Sequence, residues 1–459
     1  MENIINEEQI AQVLGEHIQP ETKLINDILT KAALCQGLNF REVAALASIS
    51  DPEQLGALFD CARRVKEKIY GKRLVIFAPL YISNLCGNEC TYCAFRAKNK
   101  DLKRRALSMA EIQQETEILV KQGHKRVLLV AGESYPKEGF SYVLKAIEAV
   151  YGVKCGSGEI RRVNVNVAPL SLEQFKELKT TGIGTYQVFQ ETYHHETYKK
   201  VHLGGKKADY DWRITAMDRA MEAGIDDVGI GVLFGLFDWR FEILALLQHI
   251  AHLEKTHGVG PHTLSVPRLE PAVGSDLATH PPHAVTDIDF RKIVAILRLA
   301  VPYTGIIMST RETPNMRKET FALGVSQISA GSRTDPGGYA EGEDFSAQFQ
   351  LGDHRELDEV IRDVAELGYT PSFCTGCYRL GRTGKDFMDM AKPGDIRMHC
   401  EPNALSTFQE YLMDYASPET VVAGEKRIAE LLSSMDEKAA ARARELVEQV
   451  KAGKRDVFC

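Results

Sequence analysis

The chain has 459 residues, with 56 Lys and Arg against 63 Asp and Glu for a formal net charge of −7. That length exceeds a single small core, so a large domain with appended segments is expected, and the acidic balance argues against a broad nucleic-acid surface, which needs a basic face. Residues 1–8 are acidic, no signal-peptide pattern follows them and no run of about 18 apolar residues occurs, so the expectation is a cytoplasmic protein with neither a membrane nor a nucleic-acid partner.

Residues 1–71 carry helical periodicity without strand signals. In residues 53–68, for example, Leu55, Leu58, Phe59 and Val65 recur at helical spacing, which predicts a helical N-terminal layer. Beyond it, apolar runs at 74–82, 126–131, 162–168, 184–190, 227–234, 262–269, 303–310 and 324–330 read as strands, and helix-like segments such as 240–253 separate them. Eight strand-then-helix units within residues 72–340 predict an α/β fold, a (β/α)8 TIM-type barrel whose chemistry sits at the C-terminal ends of its strands. An open sheet of five or six strands is the competing architecture. Residues 341–459 read as a third, mostly helical unit that ends in the Ala- and Glu-rich helix 438–451.

Directly after the first strand comes Cys86-Gly87-Asn88-Glu89-Cys90-Thr91-Tyr92-Cys93. Cys-x3-Cys-x2-Cys spacing brings three thiolates onto one side of a cubane iron–sulfur cluster and leaves its fourth iron open for chemistry. A structural zinc site is usually closed by four ligands, and no fourth ligand lies nearby. Far downstream, Cys374 and Cys377 with Cys400 form a second triad, again without an obvious fourth ligand, for which a zinc site completed by His399 or a purely structural cluster are the alternatives. Six of the ten cysteines thus fall into two triads, which favours metal ligation over disulfides. Cys35, Cys61, Cys155 and Cys459 have no spacing that makes a site.

The first triad resembles that of the radical S-adenosylmethionine (SAM) superfamily, in which SAM occupies the open iron. Ala131-Gly132-Glu133-Ser134 resembles the superfamily's Gly-Gly-Glu motif, with alanine in place of the first glycine. The resemblance implies SAM contacts from Gly132, Glu133, Ser134, Tyr92, Asn164, Asn166, Glu191 and Arg213, and an adenine contact near Gly229-Ile230-Gly231. Both triads together look like the hydrogenase-maturase family of radical SAM tyrosine lyases. A relative, the thiazole-pathway lyase that makes 2-iminoacetate, shares Ser309-Thr310-Arg311-Glu312 and Ala330-Gly331-Ser332 but lacks the second triad. The resemblance implies two [4Fe-4S] clusters, with an additional Fe at the C-terminal one held by free L-cysteine and a histidine. It implies cleavage of L-tyrosine at Cα–Cβ to p-cresol and dehydroglycine, then carbon monoxide and cyanide bound to the extra iron. The implied partners are a reduced flavodoxin- or ferredoxin-type electron donor and other hydrogenase maturation proteins.

The tyrosine carboxylate calls for a guanidinium or hydroxyl donors. Ser309, Thr310 and Arg311 close the seventh strand, and Arg268 lies near the end of the sixth, although either arginine could pair structurally with Glu312 or Glu270. Ser332 and Arg333 are weaker candidates. For the extra iron, His262 opens the sixth strand and so belongs at the mouth opposite SAM; His280, His283 and His399 are its rivals. Three function classes remain: the maturase, a 2-iminoacetate-forming lyase with a structural C-terminal cluster, and a non-catalytic iron–sulfur carrier.

Overall fold

The apolar run from residue 74 forms β1 (Arg73–Ser83), buried on both faces as befits a parallel strand covered by helices. The computed structural model describes residues 3–16, 19–342 and 346–459. Seven more parallel strands follow: β2 (Arg126–Ala131), β3 (Arg162–Asn166), β4 (Tyr186–Gln187), β5 (Val228–Gly231), β6 (Thr263–Ser265), β7 (Gly305–Met308) and β8 (Val325–Ser329). Each pairs with the next, and β8 returns to β1 through Val75↔Gln327, Ile76↔Ile328 and Phe77↔Ser329. That last pairing closes the eight-stranded barrel and rules out the open sheet. Ser108, Ser171, Thr286 and Thr313 start surrounding helices by accepting the backbone N–H three residues on.

The strands are shorter than the apolar runs that announce them. Past β4 and β5, isolated bridges Glu191↔Val232 and Phe234↔Arg268 continue the pairing toward one mouth, because apolar content marks burial rather than ladder hydrogen bonds. A ninth strand, β9 (Thr370–Ser372), joins the start of β1 through Arg73↔Thr370 to Val75↔Ser372. Its sequence, Thr-Pro-Ser, carries no apolar signal.

Helices Glu7–Glu16, Thr22–Ala32, Phe40–Ala47 and Pro52–Tyr70 make the N-terminal layer. Lys292, on the barrel helix Asp287–Ala300, fastens it by donating to the carbonyls of Ala47 and Ile49 at 3.0 and 2.7 Å. Helices Arg397–Asp414, Pro418–Ser434 and Glu437–Lys451 lie at the other end of the chain. Glu410 in the first of these accepts two hydrogen bonds from Arg161, at 3.1 and 2.6 Å, and lies 3.5 Å from Lys125 Nζ, just ahead of β3 and β2. One hydrophobic cluster runs from Ile5 to Val447. Among the described residues, no helix is long and apolar enough to cross a membrane.

Barrel closure is braced by Arg317, which donates to Asp353 Oδ2 at 2.7 Å and to the Ser329 carbonyl of β8 at 2.6 Å, with both charged side chains fully buried. Asp353→Ala leaves that guanidinium uncompensated and should cost about 3–5 kcal/mol, read as a lower midpoint in denaturant. Val422→Ala, at a residue 71% exposed, should leave the midpoint where it is.

Candidate active site at one mouth and a second cysteine site at the other

Past β1 the cysteine loop crosses the C-terminal mouth of the barrel and is held by backbone bonds to residues 201–204. Thr91 N–H donates to Val201 O and Glu89 N–H to Gly204 O, both at 2.9 Å, and Leu203 N–H returns to Glu89 O at 2.8 Å. Gly205, at φ +82°, passes so near Asn88 that a Cβ would lie 2.3 Å from its Oδ1. At the end of β2, Gly132 N–H donates to Ser83 O at 2.8 Å, and a Cβ there would lie 2.2 Å from Leu85 O. Only glycine admits the loop this close.

Cys86, Cys90, Cys93, Tyr92, Gly132 and Glu133 therefore line one cavity, together with Asn166, Glu191, Arg213, Ser309, Thr310 and Arg311. Of the side chains expected there, Asn164, Ser134, Arg268, Ser332 and Arg333 do not line it. Asn164 Oδ1 accepts from Thr185 N–H at 3.1 Å and so ties β3 to the chain entering β4. Ser134 contributes its backbone, donating to Leu85 O at 3.2 Å. Arg268 is committed to Glu312, to Asp287 at 2.9 Å and to Val285 O at 3.0 Å, above the Phe290 ring. The structural pairing foreseen for one of the two arginines is thus Arg268 with Glu312. Arg333 pairs with Glu356. Arg311 remains, its guanidinium 3.2 Å above the centroid of the Phe349 ring and without an ion pair among the described residues. The Gly229 and Gly231 positions are explained by crowding, since a Cβ would meet Thr263 Oγ1 and Ser265 O respectively.

Behind the thiols lies a compact set of charges. Lys207 Nζ is 2.6 Å from Glu191 and 3.8 Å from Glu133, while Arg213 is 2.8 Å from Glu133 and 3.5 Å from Glu191. Asn88 donates to Glu133 at 2.7 Å. Burial works against the charge of Glu133, but Arg213 and Lys207 outweigh it and hold the carboxyl below its usual range. Burial and Arg213 likewise oppose the charge of Lys207, yet Glu191, Cys90 and Glu133 raise its pKa. Sequence reasoning missed Lys207, because Gly204-Gly205-Lys206-Lys207 reads as a solvated turn. It also missed Gln348, which accepts from the Tyr81 hydroxyl at 2.7 Å and reaches the Cys93 sulfur at 3.8 Å, and His202, whose Nε2 meets the Tyr92 hydroxyl at 2.8 Å.

Burial raises the Cys86 and Cys90 thiols and pushes Cys93 up to about 11. They become thiolates only against a strong positive charge. Among the described residues, no three His, Cys, Asp or Glu side chains converge on the point one ion would occupy. Three thiols of one loop lining one cavity suit a cubane, in which each thiolate takes a different iron.

At the N-terminal mouth a second cavity is lined by Cys374, Cys377, Cys400, His262, Arg73 and Arg126. Cys374 and Cys377 follow β9, and Cys400 stands in the first turn of Arg397–Asp414. His262 packs 4.4 Å from the Phe387 ring with Nδ1 3.5 Å from Asp227 Oδ1. Burial pushes its imidazole toward the neutral form, with Asp227 opposing. His280 and His283 are exposed, and His399 does not line the cavity. Phe458 packs on Gly376, and the Cys459 peptide is held by Asn403 at 2.8 and 3.0 Å and by Arg382 at 2.7 Å, beside the second triad.

Three thiols at the C-terminal mouth of a parallel barrel, with a Gly–Glu strand end pressed against their loop, define a radical SAM enzyme. The radical SAM superfamily model matches residues 80–247, and that of the biotin and thiamin synthesis associated domain matches residues 265–370. The chain is 33% identical over 345 residues to the 2-iminoacetate synthase of Salmonella typhimurium, across 75% of this chain and 89% of that one. A crystal structure of HydG, a maturase of the [FeFe]-hydrogenase, superposes with a TM-score of 0.96 at 47% identity, covering 99% of this chain and 100% of the other. HydG from Carboxydothermus hydrogenoformans gives 0.84 at 42% identity, covering 96% and 97%. The chain belongs to the HydG family of [FeFe]-hydrogenase maturases, radical SAM enzymes for which a [4Fe-4S] cluster and SAM are implied.

Gly132→Ala forces the loop away from β2. Overpacking of this kind costs about 1–3 kcal/mol, so SAM affinity should fall roughly tenfold or more while the iron of the second site is retained. Equilibrium binding and iron content of the reconstituted protein check this.

Proposed function

We propose that the enzyme cleaves the Cα–Cβ bond of L-tyrosine at the C-terminal mouth, giving p-cresol and dehydroglycine. Dehydroglycine then passes to the N-terminal mouth, where it is converted to carbon monoxide and cyanide for an Fe(CO)(CN)-cysteine synthon of the hydrogenase H-cluster. One observation carries this reading: a closed barrel with a cysteine triad and a cavity at each end.

Cys86, Cys90 and Cys93 would hold the first cluster, with SAM against Gly132, Glu133, Asn166, Glu191, Arg213 and Tyr92. Bound together, cluster and SAM supply one-electron abstraction of a hydrogen atom from the substrate. Arg311 receives the tyrosine carboxylate, with Ser309 and Thr310 as hydroxyl donors, and Phe349, Tyr81 and Leu269 line the cavity with apolar surface that excludes water. Cys374, Cys377 and Cys400 would hold the second cluster, and His262, with a free L-cysteine, the extra iron. Arg73, Arg126 and Arg382 line that cavity, each with a buried Nε that has no partner among the described residues, a setting that favours an anionic fragment. Gln187, Ser265 and Ser329 line the first cavity and Ser326 and Gln327 the second, polar groups that would serve a small molecule moving through the barrel. A lyase that stops at 2-iminoacetate leaves this second cavity without a task. A flavodoxin- or ferredoxin-type donor and other maturation proteins are the partners this reading requires.

Changing Cys374 and Cys377 together to serine should leave SAM cleavage and p-cresol formation largely intact, yet abolish carbon monoxide and sharply reduce cyanide. Loss of p-cresol in a folded variant that keeps its first cluster would overturn the two-stage reading. A second variant addresses the extra iron. His262→Ala should keep both cubanes and p-cresol, bind about one iron fewer and make little carbon monoxide, because a neutral imidazole is a good ligand for ferrous iron. Full iron content with a normal carbon monoxide yield would transfer the role elsewhere.

A further inference from the structure

The C-terminal cavity contains a carboxylate that neither the cluster loop nor the SAM contacts employ. Glu270 follows β6 and lines the cavity with Arg311. The charged groups that face it are Glu312, Arg311 and Arg268. Arg268 and Glu312 are bonded to each other, which takes both out of play. Glu270 and Arg311 make no ion pair or hydrogen bond through their charged ends, with each other or with any described residue, and so leave two opposite charges unspent in one cavity. Unpaired charges, half-buried as these are, do not favour the folded state by themselves. A guanidinium and a carboxylate standing apart in a cavity that Leu233, Pro267, Leu269 and Phe349 also line match the two charges and the apolar ring of an aromatic α-amino acid.

We propose that Glu270 binds the α-amino group of the substrate opposite the Arg311–carboxylate contact and takes one proton from it, so that tyrosine reacts as the free amine. This rests on the tyrosine-lyase reading. The step is a proton transfer: one N–H bond of the ammonium breaks, one O–H bond forms on Glu270, the carboxylate and ammonium charges cancel and no electron changes hands. Its purpose follows from charge. Removing a hydrogen atom from an ammonium leaves an electron-deficient radical cation, whereas removing it from an amine leaves a neutral radical. Burial, reinforced by Glu312, pushes Glu270 up to about 7, with Arg311 and Arg268 opposing, which suits a base working near neutral pH. Because that pKa is raised, the carboxylate is present above about pH 7 and is lost as pH falls through it.

The test compares L-tyrosine with 3-(4-hydroxyphenyl)propanoate, which lacks only the amino group, in equilibrium binding to the reconstituted holoenzyme with SAM. Wild type should bind tyrosine roughly tenfold more weakly at pH 6 than at pH 8, while the desamino acid shows no such loss. Glu270→Gln should bind tyrosine roughly tenfold more weakly at pH 8, keep its affinity for the desamino acid, lose the pH dependence of binding and shift p-cresol formation to more alkaline pH. Unchanged tyrosine affinity in Glu270→Gln, or equal losses for both ligands there and in Glu270→Asp, would overturn the assignment. A wild-type enzyme that binds neither ligand and forms no p-cresol would instead remove the tyrosine reading, and this role with it.

Discussion

The register of β1 sets everything that both cysteine sites depend on. Its 11 residues span the barrel wall, roughly 33 Å at the rise of a parallel strand, and it pairs with β9 at its start, β8 at its middle and β2 at its end. Its inward residues alternate. Arg73 and Val75 face the N-terminal cavity, and Phe77, Pro79 and Tyr81 face the C-terminal one. The intervening Leu74, Ile76, Ala78, Leu80 and Ile82 are wholly buried in the core. A slip of one residue would exchange the two sets, putting Arg73 into the apolar layer and Leu74 among the cysteines. Ladder hydrogen bonds therefore fix the contents of both cavities, and the interval between them, before any ligand binds.

What the sequence could disclose follows from the same physics. All eight barrel strands were legible because the residues they turn toward the covering helices must be apolar, and the place of His262 was legible because the start of a strand can lie only at the N-terminal mouth. β9 was not, since three residues that pair with an existing edge need no hydrophobic pattern. Asn164 and Asn166 look alike in sequence and share one face of β3; their height along the barrel separates them, and height depends on where β4 begins. Arg268 and Arg311 are harder still. Each follows a strand end and each has a glutamate close by in the chain, but Glu312, the neighbour of Arg311, pairs with Arg268 across the barrel mouth. Lys207 shows the same limit from the other side, since its partners Glu133 and Glu191 come from separate strand ends and only folding brings them to it.

The two mouths are charged differently. At the C-terminal mouth, Glu133 and Glu191 behind the thiols are matched by Lys207 and Arg213. The N-terminal mouth presents Arg73, Arg126 and Arg382, with Asp227 the carboxylate among its lining residues. Burial opposes the charge of Arg73, and Cys400, Cys374, Tyr70 and Cys377 sustain it. Burial and the neighbouring thiols raise Cys374 and Cys377, so these become thiolates only against the positive charge of a metal. Under the proposed function, the thiolates of a second cluster would set negative charge against these arginines.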